Sequence, residues 1–326
     1  MTQINCPNCD GQIEIPKQSS TVVCGYCNTT VNVRSGEILK ENYFMHLQYD
    51  LDQTTDKMYS WGTKQLGAPK NLGQSKVVES KLVFWPFWVV EVEAKASYTG
   101  IQKKPDFKGK DKQKHLSWNK ISETGKLDME QDIFIPANPD TPRSLKEYII
   151  PTKRKEFFDK DQILEVRGTT KPVHMEQKAA LEKAKKMMSD VLREEALKEV
   201  DSITQMDEKM KTPAVFLVSI PIWHIKYCYK IRNYDALVDG ASGRIVYLEF
   251  PRKMAFRAMT LLSGLLHLAI GGGIGLLLVY LGLTTEGGDG LFPTIFGIAF
   301  GLGMLAISLR FFRTALSLRA GMEEAR

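Results

Sequence analysis

The pattern of cysteines, apolar runs and repeated strands predicts a multi-domain chain. It consists of a small β zinc ribbon, a central α+β domain with an internal duplication, and a C-terminal two-helix transmembrane hairpin. Three observations carry this. Four of the five cysteines, Cys6, Cys9, Cys24 and Cys27, fall in the first 27 residues. Two long stretches near the C-terminus are almost free of charge. Between these ends, a strand built on Pro-x-Trp occurs twice. The averages hide all three. A chain of 326 residues with 43% hydrophobic and 25% charged residues and a mean hydropathy of −0.22 reads as a soluble protein. Collagen-like, wholly disordered and polytopic membrane classes are excluded. A soluble body joined to a short membrane part is not. The formal charge of +6, from 44 basic and 38 acidic side chains, is too modest to indicate nucleic acid by itself. Five cysteines are too few for a disulfide scaffold of this size.

The ribbon occupies residues 1–36. Its pattern is C-x2-C, fourteen residues, then C-x2-C. Two thiolates two residues apart can face one tetrahedral ion, and a second such pair closes the shell at Zn–S distances of ~2.3 Å. Gly11 and Gly25 suit tight turns, and Ile13, Ile15, Val22, Val23, Val31 and Val33 supply short strands. Zinc held by Cys6, Cys9, Cys24 and Cys27 is the favoured reading, with an iron site or a dithiol redox pair as alternatives. Four thiolates leave no open position, so the metal is expected to be structural. Thiols that bind metal must stay reduced, which implies a reducing compartment. Lys17 is the only basic side chain before Arg34, against Asp10, Glu14 and the charge of the thiolate centre. Phosphate binding needs clustered cations, so a protein contact is expected of the ribbon rather than nucleic acid.

The α+β domain spans 37–250, with possible repeats at 43–100 and 172–250. Leu82–Val90 contains Trp85-Pro86-Phe87-Trp88, and Phe216–Ile225 contains Ile220-Pro221-Ile222-Trp223. Behind Trp88 come Val90, Val92 and Ala94, and behind Trp223 come Ile225, Tyr227 and Tyr229. A period of two marks strands with one buried face, and proline confines each to an edge, a strand start or a bulge. Helices are expected before each copy, at 53–66 closed by Gly67, and at 172–210. A hairpin is expected over 234–247, turning at Asp239-Gly240 or Ser242-Gly243. Between the copies, 102–126 is lysine-rich, with Lys103, Lys104, Lys108, Lys110, Lys112, Lys114, Lys120 and Lys126. It reads as a solvated insertion loop. Contact with anionic lipid or nucleic acid through these lysines, Phe107 and Trp118 is the alternative.

The hairpin occupies 251–316, with spans at about 256–283 and 291–312, followed by a cytoplasmic tail at 317–326. Each apolar stretch can supply the ~20 residues that cross a hydrocarbon core. Arg252, Lys253 and Arg257 flank the first, and Arg310, Arg313 and Arg319 follow or end the second. The turn between them carries Glu286 and Asp289 and no basic residue. The positive-inside rule then puts both termini in the cytoplasm of a two-span cell-membrane protein, and no signal peptide precedes Cys6. Gly271, Gly275, Gly297 and Gly301 form small-xxx-small spacings that either pack the spans together or offer a face for a homo-oligomer. His267 is expected to be a neutral histidine bonded to backbone.

No catalytic motif appears. There is no P-loop, no H-E-x-x-H, and no G-x-G-x-x-G after a strand. His224 and Cys228 lie about 13 Å apart along a strand, beyond dyad reach, and Glu91 and Glu93 read as a polar sheet surface. The chain is therefore not expected to be an enzyme. Its C-P-x-C and C-x-Y-C knuckles, later P-F-W strand and terminal apolar pair resemble prokaryotic membrane-anchored proteins of uncharacterised function that carry a rubredoxin-like zinc ribbon. Some of these bear names borrowed from transcription-factor or primosomal-helicase ribbons. The resemblance implies zinc at the four cysteines and no activity. The expected function is a membrane-anchored adaptor or assembly protein whose ribbon meets a cytoplasmic or membrane protein partner. The alternatives are a membrane-tethered nucleic-acid binder and an enzyme without a recognisable motif.

Overall fold

A computed structural model describes residues 2–16, 19–108, 115–151, 154–285 and 290–323. The N-terminal module is two small antiparallel pairs. β1 (Thr2–Asn5) pairs with β2 (Gln12–Ile15), and β3 (Thr21–Val23) with β4 (Thr30–Asn32). Ile13, Val22 and Val31 pack around Cys6 and Cys24. That core is too small to hold a fold alone. The module also docks on the central domain. Ser20 donates to the Val173 carbonyl from its backbone N at 2.6 Å and from its hydroxyl at 3.1 Å, and Asn42 Nδ2 donates to Thr30 Oγ1 at 2.6 Å.

The central domain then runs β5 (Asn42–Met45), α1 (Leu51–Thr63), β6 (Lys76–Lys108), β7 (His115–Pro136), α2 (Arg143–Lys146), β8 (Lys155–Phe157), α3 (Lys160–Glu165) and β9 (Thr169–Thr170). It continues with α4 (Gln177–Glu199), β10 (Ser202–Lys211), β11 (Val215–Tyr229), β12 (Arg232–Asp239) and β13 (Ile245–Pro251). α5 (Met254–Thr284), α6 (Leu291–Leu316) and β14 (Arg319–Met322) complete the chain. α1 starts on a capping box. Asp50 accepts from the Gln53 backbone N at 2.8 Å, and Gln53 Oε1 accepts from the Asp50 N.

One sheet orders most of these strands as β10-β6-β11-β12-β13-β14, with β7 and β9 beside β6 and β5 beside β11. β6 is its spine. One edge takes β11 over Lys76–Val90 and then β10 over Glu93–Ile101, and the other edge takes β7 along its outer length. The two Pro-x-Trp segments meet antiparallel at the centre, with Trp85 opposite Ile220 and Pro86 opposite Ser219. Both prolines are therefore interior to paired strands, where an edge, a strand start or a bulge was expected. The reason is local. The Pro86 carbonyl accepts from Ala137 where β6 changes partner from β9 to β7, and the Pro221 carbonyl accepts from Gly240 where β11 changes from β5 to β12. Each missing N–H falls at a seam between partners, so no ladder bond is lost.

The expected one-sided burial also gives way at the centre, where every residue from Leu82 to Val90 is buried. Both faces are covered. α4 packs on Trp88, Val90, Val92 and Ala94, while Leu145 and Ile150 cover Val83, Trp85, Phe87 and Val89. α1 packs Met58 on Ile225, Tyr227 and Leu248.

Three further expectations are corrected. The helix expected over 172–210 stops at Glu199, and its Ile203 and Met210 belong to β10. The exposed edge of β6 needs backbone partners there, and pairing supplies them. The described residues of the lysine-rich segment, 102–108 and 115–126, are not a loop but paired strand in β6 and β7, with Lys103 opposite Lys120 and Lys104 opposite Asn119. Residues 109–114, with Lys110, Lys112 and Lys114, lie outside the described residues, as do the side chains of Phe107 and Lys108. The tail expected at 317–326 instead returns as β14, pairing Arg319 with Pro251 and Met322 with Leu248.

α5 and α6 are both long and apolar enough to cross a membrane. At 1.5 Å per residue they span about 46 and 39 Å, against ~30 Å of hydrocarbon. Leu276 and Leu283 are each 73% exposed, so this is no buried pair inside a soluble core. Gly271, Gly275, Gly297 and Gly301 line the contact between the two helices. A Cβ on Gly275 would lie 3.0 Å from the Gly297 carbonyl, and one on Gly271 would meet Met304. Ser308 Oγ donates to the Gly264 carbonyl across the same contact at 2.7 Å. Glu286 and Asp289 of the connecting turn, like Lys17, lie outside the described residues.

Candidate metal centre

The four N-terminal cysteines converge. Their Sγ atoms all lie within 4.8 Å of one another, with Cys6–Cys27 and Cys9–Cys24 at 3.6 Å. No disulfide joins them. A tetrahedron with ~2.3 Å metal–sulfur bonds has edges of about 3.8 Å, so this donor set fits a four-coordinate thiophilic ion. The two knuckles are built alike. Cys6 N donates to the Gly11 carbonyl and Asp10 N to the Cys6 carbonyl. Cys24 N donates to the Thr29 carbonyl and Asn28 N to the Cys24 carbonyl.

Each loop closes through a left-handed residue, Asp10 at φ 59° and Asn28 at φ 57°. The turn residues are thus Asp and Asn, which tolerate that region, and not Gly11 or Gly25 as expected. Gly11 serves close approach instead, because a Cβ there would lie 2.5 Å from the Tyr26 ring.

Without a cation the thiols differ sharply. Hydrogen bonds from Thr29, side chain first and backbone second, and then from Asn8 draw Cys27 down to about 5. The Gly11 amide pulls Cys9 down, but the facing sulfurs and desolvation outweigh it and push Cys9 up to about 12. Four sulfurs this close cannot all carry charge unless a cation sits among them. A dication held by Cys6, Cys9, Cys24 and Cys27 would supply that charge.

No protein-family model, curated protein or solved structure matches the chain. Four cysteines arranged as in a zinc ribbon, together with two apolar helices, are what the molecule presents.

The other candidates from sequence do not form a second centre. His224 Nε2 accepts from Trp85 Nε1 at 2.9 Å, and burial first, then Lys171 and Lys81, lower it to about 4. Cys228 Sγ donates to its neighbour Lys230's carbonyl at 3.3 Å. Glu91 faces Asp132 and Glu93 faces Glu130 across the β6–β7 ladder. His267 Nδ1 lies 2.7 Å from the Ser263 carbonyl, one turn back on its own helix.

One cluster escaped the sequence reading. Asp239 is fully buried and accepts from Tyr148 Oη at 2.7 Å, Ser242 Oγ at 2.5 Å and Ala241 N at 2.8 Å. Burial pushes its carboxyl up despite those donors. In sequence Asp239-Gly240 reads only as a turn pair. Tyr148 is 91 residues away, so nothing local signals that the carboxylate is enclosed.

Proposed function

We propose that this chain is a membrane-anchored adaptor or assembly protein of the cytoplasmic face. In this reading zinc is the ion held by Cys6, Cys9, Cys24 and Cys27, α5 and α6 cross the cell membrane, and both termini are cytoplasmic. The observation that carries it is the free surface of the ribbon. One side of the module is docked through Ser20 and Thr30. The knuckle tips present Pro7, Asn8 and Gly25, exposed and uncharged as side chains, with Tyr26 77% exposed. An exposed aromatic on a rigid, weakly charged tip suits a protein partner better than phosphate. Arg252, Lys253, Arg257, Arg310 and Arg313 at one end of the helical pair support the topology. The reading is non-enzymatic.

An internal duplication accounts for the central domain. The support is a set of matching bonds. Trp88 Nε1 donates to the Met175 carbonyl at 2.8 Å, just before α4. Trp223 Nε1 donates to the Tyr49 carbonyl at 3.0 Å, just before α1. The Ala137 carbonyl accepts from His174 and Met175, and the Gly240 carbonyl accepts from Gln48 and Tyr49. β5 pairs in parallel with β11, and β9 in parallel with β6. Each half thus lends its pre-helix strand to the other, around the Trp85–Ile220 pair.

The test is crosslinking in native membranes, comparing the wild-type chain with Cys6→Ser/Cys9→Ser. The double variant is expected to lose zinc and its crosslinked partners while remaining in the membrane fraction. An unchanged set of partners would show that the ribbon does not recruit.

A further inference from the structure

Where β11 turns into β12 and α5 leaves the sheet, a cavity of about 430 Å³ opens. Its wall carries Lys70, Lys230, Arg232, Arg252, Lys253 and Arg257, and among the described residues no carboxylate lines it. Two of these cations are fixed in place. Arg252 Nη1 donates to the Thr314 carbonyl and Arg257 Nε to the Ala315 carbonyl, both at 2.7 Å, which satisfies the last turn of α6. Among the described residues their remaining N–H groups have no other acceptor and can serve a ligand. Lys70, Arg232 and Lys253 form no ion pair among the described residues. Glu249 on β13 is already engaged by Arg319 at 3.2 Å.

Six like charges around one cavity repel one another unless an anion joins them. The rim is of opposite character. Ile231, at the β11–β12 turn, is 92% exposed, Met254 at the start of α5 is 80% exposed, and Leu318 completes the apolar side. A cationic wall with an apolar rim, at the base of an apolar helix, matches an amphiphile with an anionic head.

We propose that this cavity binds the phosphate headgroup of an anionic phospholipid of the cytoplasmic leaflet, with Ile231 and Met254 against its acyl chains. The proposal rests on α5 and α6 spanning the membrane, and the experiment separates the two. First, full-length protein is reconstituted into neutral phosphatidylcholine vesicles and floated after alkaline wash. Failure to float overturns the membrane reading and the lipid site with it. Floating supports the former and leaves the cavity to its own measurement.

Second, detergent-solubilised full-length protein is titrated with phosphatidylglycerol, phosphatidylcholine or inorganic phosphate, and retained lipid is counted by native mass spectrometry. Phosphatidylglycerol is expected to be retained preferentially. Lys70→Ala/Arg232→Ala is expected to weaken it roughly 25-fold, at about fivefold per charge near a bilayer surface. Lys70→Arg/Arg232→Lys is expected to restore it. Lys186→Ala/Lys211→Ala removes two exposed charges from the body and is expected to change nothing. Equal retention of the two lipids, or equal loss in both alanine pairs, overturns the site. Displacement of the lipid by an equal concentration of inorganic phosphate overturns the lipid assignment.

Discussion

Single side chains decide two properties of this protein. The first is metal dependence. Structural zinc contributes on the order of 10 kcal/mol to such modules, far more than Ile13, Val22 and Val31 can supply. Cys24→Ser is expected to unfold the ribbon while leaving the sheet folded, seen as loss of bound metal in elemental analysis with unchanged protection of β6 in hydrogen exchange. Because the ligands are thiolates, acid competes with the ion. Metal release to a chromophoric chelator is expected to rise as pH falls.

The second is the pH response of the sheet. His224 is lowered to about 4 by burial and by Lys171 and Lys81. Its folded value lies below its unfolded value of ~6.5. The stability it contributes is therefore present above pH 6.5 and lost as pH falls toward 4. The loss is about 2 kcal/mol after allowance for partial exposure. His224→Gln should flatten the decline in denaturation midpoint between pH 6.5 and 4. An unchanged decline would assign it to other groups. The cysteines were legible from spacing alone. His224 and Asp239 were not, because their state depends on enclosure by residues remote in sequence.

At the scale of elements, glycine and proline report contacts that periodicity misses. Tyr98 lies over Gly125 across the β6–β7 ladder, where a Cβ would fall 2.3 Å from the ring. Its hydroxyl donates to Glu199 at the end of α4. Gly125→Val is expected to expel the ring and cost about 1–3 kcal/mol, read as a lower thermal midpoint. Gly297 meets the Gly275 carbonyl at 2.8 Å from an added Cβ, with backbone on the far side. Gly297→Ile should separate α5 from α6 and lower the melting temperature in detergent, whereas Gly303→Ile, which faces open space, should not. The tryptophan bonds offer a paired test. Trp88→Phe and Trp223→Phe each remove one hydrogen bond, worth about 1 kcal/mol, and the proposed duplication predicts similar losses in chemical denaturation. The Pro-x-Trp echo was visible in sequence. The meeting of its two copies at the sheet centre was not, since antiparallel pairing across 135 residues leaves no local trace.

For the whole molecule, the notable feature is how the apolar helices are attached. α5 follows β13 and α6 precedes β14, so both join the same sheet. Lys253 N donates to the Gly67 carbonyl at 2.8 Å, and the Phe256 ring fills the space where a Cβ of Gly67 would stand. Gly67 also has φ +83°, a conformation that favours glycine. Gly67→Val is expected to unseat the start of α5 and increase proteolysis near residue 253. The unaltered core of β6 and β11 should remain protected. The helical pair thus meets the body at several fixed points, not through a free linker.

Residue order by itself determined the cysteine cluster, the two long apolar helices and the repeated Pro-x-Trp strand. Each depends on spacing or composition within a short window, where geometry follows directly from chain connectivity. Tertiary structure alone decided that both prolines sit at seams between strand partners, that the described part of the lysine segment is paired strand, and that the tail closes the sheet as β14. It alone gathered Lys70, Lys230, Arg232, Arg252, Lys253 and Arg257 around one cavity. Those residues come from three separated segments, and only long-range strand pairing and helix docking bring their charges together.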